Sequence, residues 1–369
     1  LEDNRLASYT EKSTRYQEFD KSRYLKIDVN PEINRLYTET MDYIMDKYIE
    51  LVQKMQIHMK NKYPDEPDIK IKNKAFDAIR NILPVSVLTN LGMTVNARNL
   101  EYAIVKLMSH PIKEMQEIGK EIKEAALKVT PTLVKYTNPS EYIIETNKDL
   151  EAETKEVIQS MPEETDSVEL VEYDKDAEDK ILSSILYRFS NVSYNQAKEK
   201  IKNLSDEEKH ALITKSLKKK GKFDAPLREF ESAFYTFDIL IDYGAFRDIQ
   251  RHRMMTQSNQ DFSPIYGFEI DPEIKAAGLE SDYIDCMKAA KKTYQIMAQD
   301  YPKVAQYILP MAFKKRVLFK TNLRELFHFI KLRSGPMGHI TYRKIAQDCY
   351  KKLKEVQPFL ASFIEVNLE

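Results

Sequence analysis

The chain has 369 residues but only eight glycines, two cysteines and no tryptophan, and its 57 Lys and Arg are balanced by 58 Asp and Glu. Each shortage excludes something. So few glycines leave no Gly-rich loop, and neither the dinucleotide-binding fingerprint nor the phosphate-cradling loop has support. Cys286 and Cys349 lie far apart with no metal or redox spacing. That suits a reducing, cytoplasmic compartment, speaks against a disulfide scaffold, and leads us to expect no metal. A net charge of −1 argues against nucleic-acid binding by bulk electrostatics, so any anion site must be local. No apolar run reaches spanning length and the first residues are polar, so neither a membrane span nor a secretory signal is expected. A composition that is 42% hydrophobic and 31% charged at this length allows two domains with real cores.

What is present is concentrated in one stretch. Tyr235, Phe237, Ile239, Ile241 and Tyr243 alternate with Thr236, Asp238, Leu240 and Asp242, the period of a half-buried strand, and Gly244 is expected to break it. Arg251-His252-Arg253 follows, then a polar run from Thr256 to Ser263. Clustered guanidinium groups grip phosphate bidentately, and an adjacent His can donate or stack. Taken alone, three basic residues in a row are more often a solvated turn than a ligand site.

Elsewhere, residues 7–16 read as a loop and Glu32 to Lys62 as a long helix. A second helical segment carries Ala75, Ile79 and Leu83, and a third runs from Asn96 to about Glu124 with Pro111 interrupting it. Between Glu145 and Asp179 stand fourteen acidic residues and three Lys, so 151–165 is expected to be a solvated linker. Ser167 to Tyr173 alternates like a strand, 180–220 reads helical, and the chain after Pro272 reads helical to its end. Lys218-Lys219-Lys220 before Gly221 fits a dipole-matched helix end better than a ligand site.

An internal repeat changes the weight of these fragments. Ile82-Leu83-Pro84 followed by Asn96, Arg98, Leu100 and Ile104 recurs as Ile308-Leu309-Pro310 followed by Asn322, Arg324, Leu326 and Ile330, without a gap and at one offset of 226. We expect two copies of one domain, over 1–150 and 166–369, the first lacking its N-terminal part.

On these motifs the chain resembles the flavin-dependent thymidylate synthases. That family's signature runs from Arg-His-Arg through a Ser to Ser-x-Arg-Tyr. It is joined by an Arg four residues before the Pro of a Leu-Pro pair, an Asn-x-Arg on the next helix, and an Arg nine residues later. The second copy keeps Arg251, His252, Arg253, Asn322, Arg324 and Arg333 but has Asp261, Ser263, Pro264 and Gln306 at the other positions. The first copy has the opposite set, Glu11, Ser13, Arg15, Tyr16 and Arg80, while Asp3 and Asn4 precede Arg5 and the late Arg is Leu107.

The resemblance implies an α+β fold, a mixture of helices and antiparallel sheet that is helix-rich overall. It implies methylation of dUMP to dTMP with FAD as cofactor and NADPH and methylenetetrahydrofolate as co-substrates. Because sites in that family lie between subunits, it also implies one composite site. Ser13, Arg15 and Arg80, with Glu11 and Tyr16, would bind the nucleotide from one copy, and Arg251 and Arg333 from the other; Ser13 and Arg333 are the expected catalytic pair. Arg251, His252, Arg253 and either Asn322 and Arg324 or Asn96 and Arg98 would hold FAD. A two-copy chain is expected to form a homodimer, equivalent to a four-domain core. Two other functions fit some residues: a non-catalytic nucleotide or flavin binder descended from such enzymes, and an RNA-binding protein, which the charge balance disfavours.

Overall fold

The stretch read as a loop at 7–16 begins with a strand, β1 (Ala7–Glu11), of which every second side chain is exposed. Its Ser, Tyr and Thr give it β propensity without the hydrophobic alternation that would announce it. The structure, a computed structural model, describes residues 2–11 and 18–369. Next come α1 (Pro31–Lys62), α2 (Asp68–Ile79), a 3₁₀ turn over Arg80–Ile82 and β2 (Leu91–Val95). Then α3 (Ala97–Met108), α4 (Lys113–Val129) and α5 (Glu141–Val157) follow. α1 starts where Asn30 accepts the Ile33 N–H at 2.9 Å with Pro31 at the first helical position. α5, through the acidic segment, buries no residue.

The chain continues through β3 (Val168–Tyr173), α6 (Ala177–Arg188), α7 (Tyr194–Lys202), α8 (Asp206–Leu217) and β4 (Phe234–Asp242). After them come α9 (Tyr243–Ile249), β5 (Thr256–Asn259), α10 (Pro272–Ala276), α11 (Glu280–Met297) and α12 (Pro302–Ala305). It ends with β6 (Lys314–Asn322), α13 (Leu323–Arg333), α14 (Ile340–Val356) and α15 (Pro358–Ala361). The architecture is helix-rich with small antiparallel sheets. Among the described residues, no helix is long and apolar enough to cross a membrane.

Two further expectations needed correction. Gly244 does not end the strand: Asp242 does, by accepting the Ala245 N–H at 2.8 Å and capping α9, which separates β4 from Arg251. The chain after Pro272 is not all helix, because β6 lies within it. Lys315, Val317, Phe319 and Thr321 are buried while Lys314, Arg316, Leu318 and Lys320 are not, so the strand period is carried partly by a lysine.

The chain divides into two compact units. One comprises Leu1–Glu164 and Ser263–Phe313, the other Thr165–Phe262 and Lys314–Glu369; residues 263–313 thus pack with the N-terminal part. In that first unit the two Leu-Pro pairs of the repeat meet. Val85 N–H donates to Leu309 O and Met311 N–H to Leu83 O, each at 3.0 Å, reciprocal bonds that exchange roles on a shift of 226 residues. Nearby, the Thr40 and Thr293 hydroxyls are 2.8 Å apart in the interior.

In the second unit the strands run β3-β4-β6-β5, all antiparallel. Its core joins Phe237, Ile239, Val317 and Phe319 of the sheet to Leu326, Phe329 and Ile330 of α13 and to Ile345, Cys349 and Leu353 of α14. The registers of these antiparallel strand pairs match across the units. Ser8 stands opposite Thr94 as Thr256 stands opposite Lys320, and Thr94 and Lys320 are 226 apart. The same register puts Asp3-Asn4-Arg5 before β1 where Arg251-His252-Arg253 precedes β5.

Candidate functional site

The candidate residues of the second unit are arranged by the start of α13 and the turn after α9. Asn322 caps α13 by accepting the Glu325 N–H at 2.9 Å. Its side-chain oxygen thus serves the helix. Two residues on, Arg324 donates from Nε to Pro226 O at 2.8 Å and from NH1 to Glu231 at 3.1 Å. Leu323, Leu326, Phe327 and Ile330 face the core, an i, i+3, i+4, i+7 stripe that fixes the helix's rotation.

That rotation aims Glu325 at the turn after α9. His252 is 4% exposed, its Nδ1 is 2.9 Å from Glu325 Oε1, and its Nε2 accepts from Arg333 Nε at 3.0 Å. Phe329 meets the imidazole edge-on at 5.1 Å, and the His328 ring lies 5.4 Å away. Burial holds the imidazole below its usual pKa against the opposing pull of Glu325. At the other end, Asp248 Oδ1 lies 3.8 Å from Arg333 NH1 and 3.4 Å from Arg251 NH1. Burial also lowers the pKa of Arg333, whose guanidinium sits 5.6 Å from the Tyr342 ring centroid. Tyr342 is itself packed against Gly338, where a Cβ would come within 2.5 Å of the ring.

The structure therefore joins His252, Arg251 and Arg333 in one network, with Asn322 one turn away through Glu325. Arg253 is partly buried beside it. Sequence reading missed Glu325 and Tyr342. The only signal for Glu325 was its place three residues after Asn322, which reads as a helix-capping pair.

Arg324 also borders a cavity of about 390 Å³ whose wall includes Lys220, Lys222, His328 and Lys331 beside Phe223, Phe327 and Phe363. Lys220, read from sequence as part of a helix end, belongs to this wall. Its ammonium is 3.3 Å from Glu365, which also pairs with Lys331 at 2.8 Å. Cationic donors beside aromatic walls suit a ligand with a flat ring and anionic groups, and so fit part of a flavin dinucleotide.

In the first unit, Arg80 is 5% exposed in the 3₁₀ turn, its Nε 3.4 Å from Asp77. Glu11 ends β1 opposite Leu91. Asn96 caps α3 through the Asn99 N–H at 3.0 Å, and both Asn96 and Arg98 are exposed. Ser13, Arg15 and Tyr16 lie outside the described residues. The positions matching His252, Glu325 and Arg333 are Asn4, Asn99 and Leu107, a set with no imidazole, carboxylate or guanidinium, so the second unit's network has no counterpart there. Asp3, at the position of Arg251, is held by Lys106 at 2.6 Å. Among the described residues, no three His, Cys, Asp or Glu side chains are placed to hold a metal ion.

The family described as thymidylate synthase complementing protein matches residues 1–132 and 169–359. The chain belongs to this family. A UPF0159 protein of Chlamydia pneumoniae is 30% identical over 99% of this chain and 73% of its own length. A flavin-dependent thymidylate synthase of Clostridium tetani is 27% identical over 37% of this chain and 56% of its own. The crystal structure of the Helicobacter pylori enzyme ThyX, complexed with FAD and dUMP, matches 54% of this chain and all of its own at 18% identity and a TM-score of 0.40. The Arg-His-Arg, Asn-x-Arg and late Arg motifs of this chain are parts of one network, buried at His252, and of its border.

Proposed function

We propose that this chain is a thymidylate synthase that methylates dUMP with FAD as cofactor and methylenetetrahydrofolate and NADPH as co-substrates. The observation that carries the reading is the hydrogen bond from Arg333 Nε to His252 Nε2, which links two motifs about eighty residues apart. We further propose that the chain is a tandem pair of related domains. The reciprocal bonds of the Leu-Pro pairs and the matching strand-pair registers support this.

In this reading one nucleotide site draws on both halves of the sequence. Arg15 and Arg80, with Ser13 donating, bind a phosphate carrying nearly two negative charges, and Glu11 and Tyr16 complete that side. Arg333, oriented by His252, presents its Nη groups to the pyrimidine and stabilises it as an anion. Arg251 and Arg253 contribute further positive charge. FAD, when bound, supplies the hydride and one-carbon transfer chemistry. Arg324 with Lys220 and Lys222 would hold its anionic portion, the aromatic wall would take a ring, and Asn322 and His252 would orient those contacts from behind. Asn96 and Arg98 lack such surroundings. The protein is then a homodimer working in the cytoplasm.

A second reading, a nucleotide or flavin binder without turnover, is favoured by Asp248, whose carboxylate beside Arg333 competes with an anionic ligand. Three measurements on the purified full-length chain decide between them. Flavin absorbance with dTMP formation supports the enzyme; flavin without dTMP supports the binder; neither flavin nor dUMP binding refutes both.

A further inference from the structure

Glu325 belongs to none of the motifs that tie this chain to its family, yet it begins the buried hydrogen-bond chain that ends on Arg333. A guanidinium Nε–H can only donate, so its 3.0 Å contact makes His252 Nε2 an acceptor. The ring proton must then sit on Nδ1, where it donates to Glu325 Oε1 at 2.9 Å. The other tautomer would set Nε2–H against the Arg333 Nε–H, two donors face to face, and leave Nδ1 opposite a carboxylate. Arg333 at Nε2 and Glu325 at Nδ1 favour the same tautomer, and Glu325 is the partner that takes the ring proton, whereas Phe329 and His328 pack on the ring without selecting either nitrogen. The carboxylate is in turn fixed by helix geometry, since the Asn322 cap anchors the Glu325 backbone.

We propose that Glu325 is a positioning residue for Arg333: through His252 it selects the tautomer that holds the guanidinium by Nε and turns the Nη end toward the nucleotide base. The nucleotide part of this statement rests on the function proposed above. Groups facing the imidazole and its partner are Glu325 and His328 from α13, Asp248 from α9, Arg251 from the turn after it and Tyr342 from α14.

The test is nitrogen-15 NMR on the full-length chain at neutral pH, reading the His252 tautomer and the exchange of the Arg333 Nε–H, neither of which needs a ligand. The wild type is expected in the Nδ1–H form. Glu325→Gln, whose amide oxygen still accepts, should keep both signals. Glu325→Leu should mix the tautomers and speed exchange at Arg333 Nε at least about tenfold. A wild-type ring protonated on Nε2 or on both nitrogens overturns the proposal without any variant having to fold. Unchanged exchange in Glu325→Leu overturns it as well. Calorimetry with dUMP separates the two claims. If Arg333→Ala binds dUMP like the parent, the nucleotide part fails together with the proposed function. If Arg333→Ala weakens binding about tenfold or more while Glu325→Leu stays within about twofold, the function stands and the positioning role fails.

Discussion

Replacing Arg333 with Ala should weaken dUMP binding strongly and change stability little, and the contrast is what identifies a ligand-directed side chain. A charge-assisted hydrogen bond to a bound anion is worth about 1.5 to 3 kcal/mol, and a tenfold change in affinity corresponds to about 1.4 kcal/mol. Dissociation constants should therefore rise about tenfold to hundredfold. For stability, two terms oppose each other. The variant loses the bond to His252, about 1 kcal/mol, but it also removes a guanidinium only 14% exposed whose burial is costly enough to lower its pKa. The net change should lie within about 2 kcal/mol. Arg333→Lys keeps the charge without the planar fork and should fall between parent and Ala. Calorimetry with dUMP and urea unfolding measure the two quantities. Unchanged affinity, or a loss of stability well beyond that bound, would falsify the assignment of Arg333 to the ligand.

Two other groups make pH predictions of definite sign. His252 has its folded pKa below the ordinary value of 6.5, so as pH falls the unfolded chain takes up the proton first. Stability is full above about 6.5 and is lost as pH drops toward the folded pKa, with a slope of at most about 1.4 kcal/mol per pH unit. Urea titrations of wild type minus His252→Asn should isolate that slope, and a difference flat from pH 7 to 5 would contradict it. Lys315 is buried over the Phe246 ring at 4.4 Å, and burial brings its amine down to about 8. The unfolded chain binds this proton more tightly, so stability should rise as pH climbs from about 8 toward 10.5. Lys315→Met should stabilise the fold by about 1 to 3 kcal/mol at pH 7, and a destabilised variant would show that the ammonium has a compensating partner.

How far the sequence could be read depended on where each signal was carried. β4 and α1 were plain because most of their buried positions are apolar and recur at the period of their element. β1 was hidden because its side chains are Ser, Tyr and Thr, and β6 because Lys315 occupies a core-facing position between charged neighbours. At the site, Arg251, His252, Asn322, Arg324 and Arg333 were visible as motifs. Their connections were not, because Glu325 and Asp248 act through contacts between residues distant in sequence, and on its own helix Glu325 looks like part of a cap. The cavity wall was obscured for a similar reason: Lys220 reads as a helix end, and only folding brings it beside Arg324 and Lys331.

We propose that one nucleotide site is assembled from both halves of this sequence while the other has decayed. Titrating dUMP into the full-length chain by calorimetry, with light scattering to fix the assembly state, tests it most directly. One dUMP per chain in a dimer, lost on replacing either Arg80 or Arg333, is the expected result; two equivalent nucleotides per chain, or binding that survives both replacements, would contradict it.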